Sequence, residues 1–166
     1  MWPCLRDDEK LSFVREQIRI AGNCLSSGIY NLVFERLLPD EQLILAFEKA
    51  FAIFDLLRDG DTSGSQFPGA RMHCLYAAAH ARLGHTQEAL TQLSNAAKLA
   101  KAWDTRPESG IHHYLLVGDT PWERNDFDTA DTRSCREIMR DKWLADEDFG
   151  NLREIPEFQA LLASLR

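Results

Sequence analysis

No stretch of this sequence approaches the roughly 18 consecutive apolar residues that a membrane-spanning helix needs. Its opening, MWPCLRDDEK, also lacks the basic segment and apolar core of a secretory signal. From these absences we expect a cytoplasmic chain with no membrane association. Cysteine is scarce and dispersed: Cys4, Cys24, Cys74 and Cys135 show no C-x-x-C spacing, so neither a disulfide framework nor a zinc knuckle is expected. Basic charge is short as well. With 26 acidic residues against 19 Lys and Arg, the net charge is −7, the wrong sign for a chain that would itself grip a nucleic-acid backbone. The sequence has no G-x-S-x-G, no Gly-rich phosphate loop and no H-E-x-x-H. The segment DGDTSG at 59–64 is too short for a calcium loop and lacks its downstream Glu. We therefore expect no metal and no cofactor.

What is present is helical periodicity in a chain of 166 residues, a length suited to one domain spanning 1–166. Leu11, Val14, Ile18, Ala21 and Leu25 advance by three and four, predicting a first helix over Asp8–Leu25 that ends near Ser26-Ser27-Gly28. A shorter helix over Ile29–Leu38 follows, and Pro39 ends it. Asp40 is the expected N-cap of a third helix, Glu41–Arg58, whose apolar residues wrap more than half its circumference, so that it should be packed from two sides. RDGDTSGSQFPG then reads as a surface loop between Arg58 and Gly69.

From Gly69 to Ala102 two helices are broken at Leu83-Gly84-His85-Thr86. His73, Tyr76, Ala77, His80 and Leu83 form one stripe, with Arg71, Ala78 and Arg82 off it. Gly84 closes the first helix and Thr86 is placed to cap the second, with Glu88 in its first turn. Ala89, Leu90, Leu93, Ala96, Ala97 and Ala100 make the second stripe, and the alanines permit close antiparallel approach. Beyond Ala102 the pattern predicts a short helix over Ile111–Leu116, a longer one through Cys135, Ile138, Met139 and Trp143 capped by Thr132 or Asp131, a turn at Glu147–Leu152, and a last helix opened by Pro156.

The 69–102 stretch resembles a tetratricopeptide (TPR) unit, W-x2-L-G-x2-Y then A-x3-F. His73, Tyr76, Ala77 and His80 stand at the first four motif positions, and Ala89 and Leu93 at the next two, while Lys101 replaces the usual Pro. The match covers about a fifth of the chain. Ala46, Ala50 and Ile53 mirror Ala89, Leu93 and Ala96 at an offset of 43 residues, longer than the 34 of the family, and suggest an upstream unit built from Ile29–Leu38 and Glu41–Arg58. The tail DEDFGNLREIPEFQALLASLR resembles the ending of many bacterial proteins of this kind, in particular the C-terminal helical region of bacterial helix-turn-helix transcription regulators. The resemblance implies an all-α, TPR-like stack of antiparallel helical hairpins with a C-terminal capping helix.

It also implies a non-catalytic binding module that recognises a protein, a peptide or a small ligand through a concave groove, in the setting of a sensor or assembly domain of a transcription regulator. A homodimer is compatible with that role. In the family the first helix of each hairpin lines the groove, which here assigns Arg71, Cys74, Ala78 and Arg82, and at the upstream offset Asn31 and Glu35. Arg71 and Arg82 lie three turns apart on nearly one face, an arrangement suited to an anionic ligand. The rival reading is an enzyme on an α-helical scaffold, with His73, His80, His112 and acidic partners meeting in one pocket. His112 and His113 are adjacent, so they do not face a common metal.

Overall fold

The computed structural model describes residues 6–61, 66–123 and 131–166. Cys4 and residues 62–64 of the 59–64 segment lie outside them. The chain is mostly helical: α1 (Asp7–Phe34), α2 (Asp40–Arg58), α3 (Gln66–Arg82), α4 (Thr86–Asp104), α5 (Cys135–Ile138) and α6 (Pro156–Ser164). Strands β1 (Ser109–Tyr114) and β2 (Gly118–Glu123) form one antiparallel pair, with Ser109 opposite Glu123 and Tyr114 opposite Gly118. This ladder corrects the helix expected over Ile111–Leu116. Burial alternates along β1, with His112 and Tyr114 turned inward and Ile111 and His113 outward, which is the period of a strand.

Residues 7–34 form one helix of 28 residues, not two. Gly28 does not interrupt it, because a glycine inside a helix costs only about 1 kcal/mol and flanking turns carry the ladder across. Gly22 matters more. A Cβ there would sit 2.4 Å from Leu57 Cδ1, so its missing side chain lets α1 and α2 cross closely. At the start of α2, Pro39 is the cap and its carbonyl accepts from the amides of Gln42 and Leu43, both at 2.9 Å. Asp40 is the first helical residue, and its carboxylate is turned to Arg82 instead of the helix end.

The central hairpin turns where the glycine requires it. Gly84 has φ +76, His85 N donates to His80 O at 2.9 Å, and Gly84 N donates to Ala81 O at 3.0 Å, closing α3 in a Schellman motif. His85, not Thr86, occupies the cap of α4. At the other end α3 begins at Gln66, three residues earlier than the loop boundary expected at Gly69. The cap of α5 is Ser134, not Thr132 or Asp131: Glu137 N donates to Ser134 Oγ at 3.2 Å and Ser134 N donates to Glu137 Oε2 at 2.8 Å. A π turn (Met139–Trp143) continues α5, and a 3-10 segment (Glu147–Leu152) precedes α6, which Pro156 opens.

The core divides at α3. Ala70, Cys74, Ala77 and Ala81 pack with Ala89, Leu93, Ala96 and Ala100 of α4 and with Cys135, Met139, Phe149, Leu152, Phe158 and Leu165 from the C-terminal segments. Met72, Tyr76 and Ala79 instead join Val33 of α1 and Leu43, Phe47 and Ala50 of α2. Helix α3 is thus packed from two sides, and α2, as expected, is flanked by α1 and α3, but its apolar residues are not all covered, since Leu45 and Leu56 are exposed. No described helix is long and apolar enough to cross a membrane.

Candidate functional site

Between α1, α2 and the first turns of α3 lies a cleft of about 1050 Å³. Its apolar walls come from Tyr30 of α1, Phe51 and Phe54 of α2, Met72 of α3 and Leu99 of α4. Polar atoms are fewer and sit on definite elements. Asn23, Ser27 and Asn31 recur on α1 every four residues and form one side, while Asp55, Arg58 and Asp61 stand at the end of α2 and just past it.

Arg58 is held by the helix that carries it. Its guanidinium lies 5.1 Å from the ring centroid of Phe54, one turn earlier, and its Nη1 is buried with no hydrogen-bond partner among the described residues. Burial pushes its pKa below the ordinary value against the pull of Asp61, yet an arginine stays charged at any working pH. A desolvated cation with an unmet donor is the least satisfied group of the cleft.

His73 lines the same space, stacked on Phe51 with ring centroids 4.4 Å apart. Its Nδ1 is 2.8 Å from Gln92 Oε1, so Nδ1 carries the proton and Nε2 is the acceptor. Burial lowers its pKa, only partly offset by Gln92, so the ring is neutral. At the rim Asp61 meets the β-hairpin: its Oδ2 is 3.2 Å from His112 Nδ1 and accepts from Tyr114 Oη at 3.3 Å. Leu115 N donates to Asp59 Oδ2 at 2.7 Å, and Arg15 of α1 donates to Leu115 O at 3.1 Å, fixing the hairpin against the end of α2 and the middle of α1.

The histidines do not share one pocket. His80 has its Nδ1 3.4 Å from His85 Nδ1, and His73 on the same helix is two turns away, roughly 10 Å along the axis. His112 contacts Asp61 through Nδ1 and Arg106 Nη2 through Nε2, 3.4 Å away, so both ring nitrogens are engaged. His113 pairs with Asp119 across the ladder, in solvent. Among the described residues no group of three His, Cys, Asp or Glu is arranged to hold a metal ion.

The six residues assigned to a groove fall in different surroundings. Arg71 and Arg82 do share a face of α3, but that face is covered. The Arg71 guanidinium lies 5.4 Å from the centroid of the Trp143 ring. Arg82 donates through Nε to Asp40 Oδ2 at 2.9 Å and through Nη1 to Asp148 Oδ2 at 2.7 Å. Cys74 and Ala78, on the same side, are buried in the core, and burial pushes the Cys74 thiol up to about 12. The physical reason is the 139–152 stretch, which lies over the side of α3 that a stack of repeats would leave concave. Glu35 is exposed at the end of α1, and Asn31 alone of the six lines the cleft.

The cleft residues that the sequence reading missed carry one signal. Phe47, Phe51 and Phe54 step by four and three, and Arg58 occupies the next position of that same apolar stripe. Comparisons with protein-family models, curated proteins and solved structures found no match.

Proposed function

We propose that this chain is a non-catalytic binding module that takes a small molecule into the cleft between α1, α2 and α3. The observation that carries the reading is the cleft itself: about 1050 Å³, walled by aromatic and aliphatic side chains, with a few polar groups on separate elements. That is the size and character of sites that enclose a drug-sized ligand. Catalysis is the weaker reading because His112 has both ring nitrogens occupied and His73 has no carboxylate partner at Nδ1. Resemblance of the 69–102 hairpin to a TPR unit, and of the tail to regulators, supports a role in which occupancy is passed to a partner protein.

The test uses a neutral apolar fluorophore, N-phenyl-1-naphthylamine, and the variant Ala52→Trp. Ala52 lines the cleft but is exposed, so the larger ring fills the space without entering the core. Saturable one-to-one binding that Ala52→Trp weakens at least tenfold, with an unchanged melting temperature, is the expected result. Binding that ignores Ala52→Trp, or none at all, removes the cleft as the site.

A further inference from the structure

The geometry points to a small planar monocarboxylate as the ligand class of this cleft, its carboxylate taken by the Arg58 guanidinium and its ring held among Tyr30, Phe51 and Phe54. This rests on the cleft being the binding site and goes further by naming what it selects.

Arg58 lines the cleft with its guanidinium over the Phe54 ring, and its Nη1 is closed off from water without an acceptor among the described residues, so the protein itself leaves this cation under-satisfied and a carboxylate would pair with the part of the guanidinium that faces the cleft. A buried donor left unpaired costs more than an ordinary hydrogen bond returns, and the deficit is larger when the group is charged. A carboxylate supplies two acceptor oxygens in a geometry that a guanidinium matches. A neutral ligand would leave the cation unpaired and a cationic one would oppose it.

The surroundings limit the charge to one. Among the described residues lining the cleft Arg58 is the only Lys or Arg, and Asp55 and Asp61 line it too. Asp61 accepts from Tyr114 and lies against His112, and its field and that of Asp55 disfavour a dianion such as a phosphate monoester. The walls of the cleft also favour a flat shape. Phe51 and His73 are already stacked at 4.4 Å, and Tyr30 and Phe54 add aromatic faces from two different helices, so flat ligands gain offset-stacking contact that a branched aliphatic acid cannot make.

The experiment compares naphthalene-2-carboxylate with naphthalene-2-carboxamide by isothermal titration calorimetry at pH 7.5, on the unaltered chain and on Arg58→Met, Arg58→Lys and Ala52→Trp. The acid should bind about tenfold or more tighter than the amide, the ratio expected for one charge-assisted hydrogen bond. Arg58→Met should erase that preference while leaving amide affinity within about threefold, since a methionine preserves the apolar stem. Arg58→Lys should keep the preference at a reduced ratio, because a point charge replaces the fork. Equal affinities for acid and amide in the unaltered chain, or a preference that survives Arg58→Met, overturn the carboxylate assignment. In either case amide binding that Ala52→Trp abolishes keeps the cleft itself. If neither compound binds up to millimolar concentration, the carboxylate assignment falls, and the cleft itself is then decided by N-phenyl-1-naphthylamine binding and its response to Ala52→Trp.

Discussion

The two sides of α3 are packed in different ways. Toward the C-terminal side, α4 buries Ala89, Leu93, Ala96, Ala97, Ala100 and Trp103 within 19 residues, and three further segments close over the seam. Toward the N-terminal side, α1 buries only Gly22 and Val33 of its 28 residues and leaves Leu11, Phe13, Leu25 and Phe34 about half exposed. The difference follows from side-chain size. Alanines on α3 and α4 let those helices meet along their length, whereas Tyr30, Phe51 and Phe54 hold α1 and α2 away from the start of α3. The cleft is the space those bulky residues fail to close, so it lies in the region with the weaker core.

Given that contrast, truncating a buried ring should cost more on the C-terminal side. Phe149→Ala removes a fully enclosed ring that packs on Phe158 with centroids 6.2 Å apart, and a loss of about 3–5 kcal/mol is expected. Phe47→Ala removes an equally buried ring, but its cluster is smaller and is bordered by half-buried residues free to relax into the cavity. Urea denaturation should place Phe47→Ala about 1 kcal/mol or more below Phe149→Ala in cost; equal losses would erase the distinction between the two sides.

The regions are joined at Arg82, which holds Asp40 of α2 and Asp148 of the 3-10 segment, while Arg36, just after α1, also pairs with Asp148. Arg82→Ala should cost about 1.5–3 kcal/mol, because both carboxylates lose a charged partner in a half-buried setting. Arg82→Lys should recover less than half, since an ammonium cannot serve two carboxylates as a planar fork does. A full rescue by lysine would mean that the junction is simple charge balance. Close in size is Ala89→Leu. Ala89 has no exposed surface and lies in the cluster that holds Ala77, so overpacking should cost about 1–3 kcal/mol, read as a lowered melting temperature.

How much of this was legible in the sequence depended on where the determining contacts lie. The turn at Gly84 and the Pro156 start of α6 could be read locally, because a positive φ and a missing amide are properties of the residue itself. The unbroken α1 was not, since Gly28 looks like a stop until the long flanking turns are seen to carry the helix across it. The β-hairpin was hidden because its alternation is written in His112 and Tyr114 rather than in aliphatic residues, and because Gly110 accepts the Trp122 ring where a Cβ would stand 2.6 Å from it. The cleft was least legible. Asn31 and Arg58 line one cleft because α1 packs against α2, with Gly22 against Leu57, a relation no window of sequence contains.

A smaller effect distinguishes the sides by pH. The folded pKa of His73 lies below its ordinary value of about 6.5, chiefly through burial. Its contribution to stability is therefore complete above about pH 6.5 and is lost as the pH falls through the lowered folded value, because the unfolded chain takes up a proton first. The slope is bounded at about 1.4 kcal/mol per pH unit for one proton. His80 and His112 are lowered in the same direction, so His73→Gln should shrink the acid loss between pH 7 and 5 without abolishing it. An unchanged pH profile for His73→Gln would show that this ring is not protected from protonation by the fold.

The smallest effect is expected on the outer surface of α2. Leu56 and Leu45 are 63% and 55% exposed, and neither belongs to either core cluster. Their apolar surface is already in water when the chain stands alone, so replacing them removes little burial. Leu56→Ser should change the unfolding free energy by less than about 0.5 kcal/mol. The measurement becomes decisive if it is made at two protein concentrations a hundredfold apart. A face that stays wet gives the same small change at both. A face covered by a second copy gives a loss that appears only at the higher concentration, because association stabilises the folded chain by mass action and Leu56→Ser would weaken it. That second outcome would mean the N-terminal side is completed by its own partner, and its thin core would then be the inner half of a larger one.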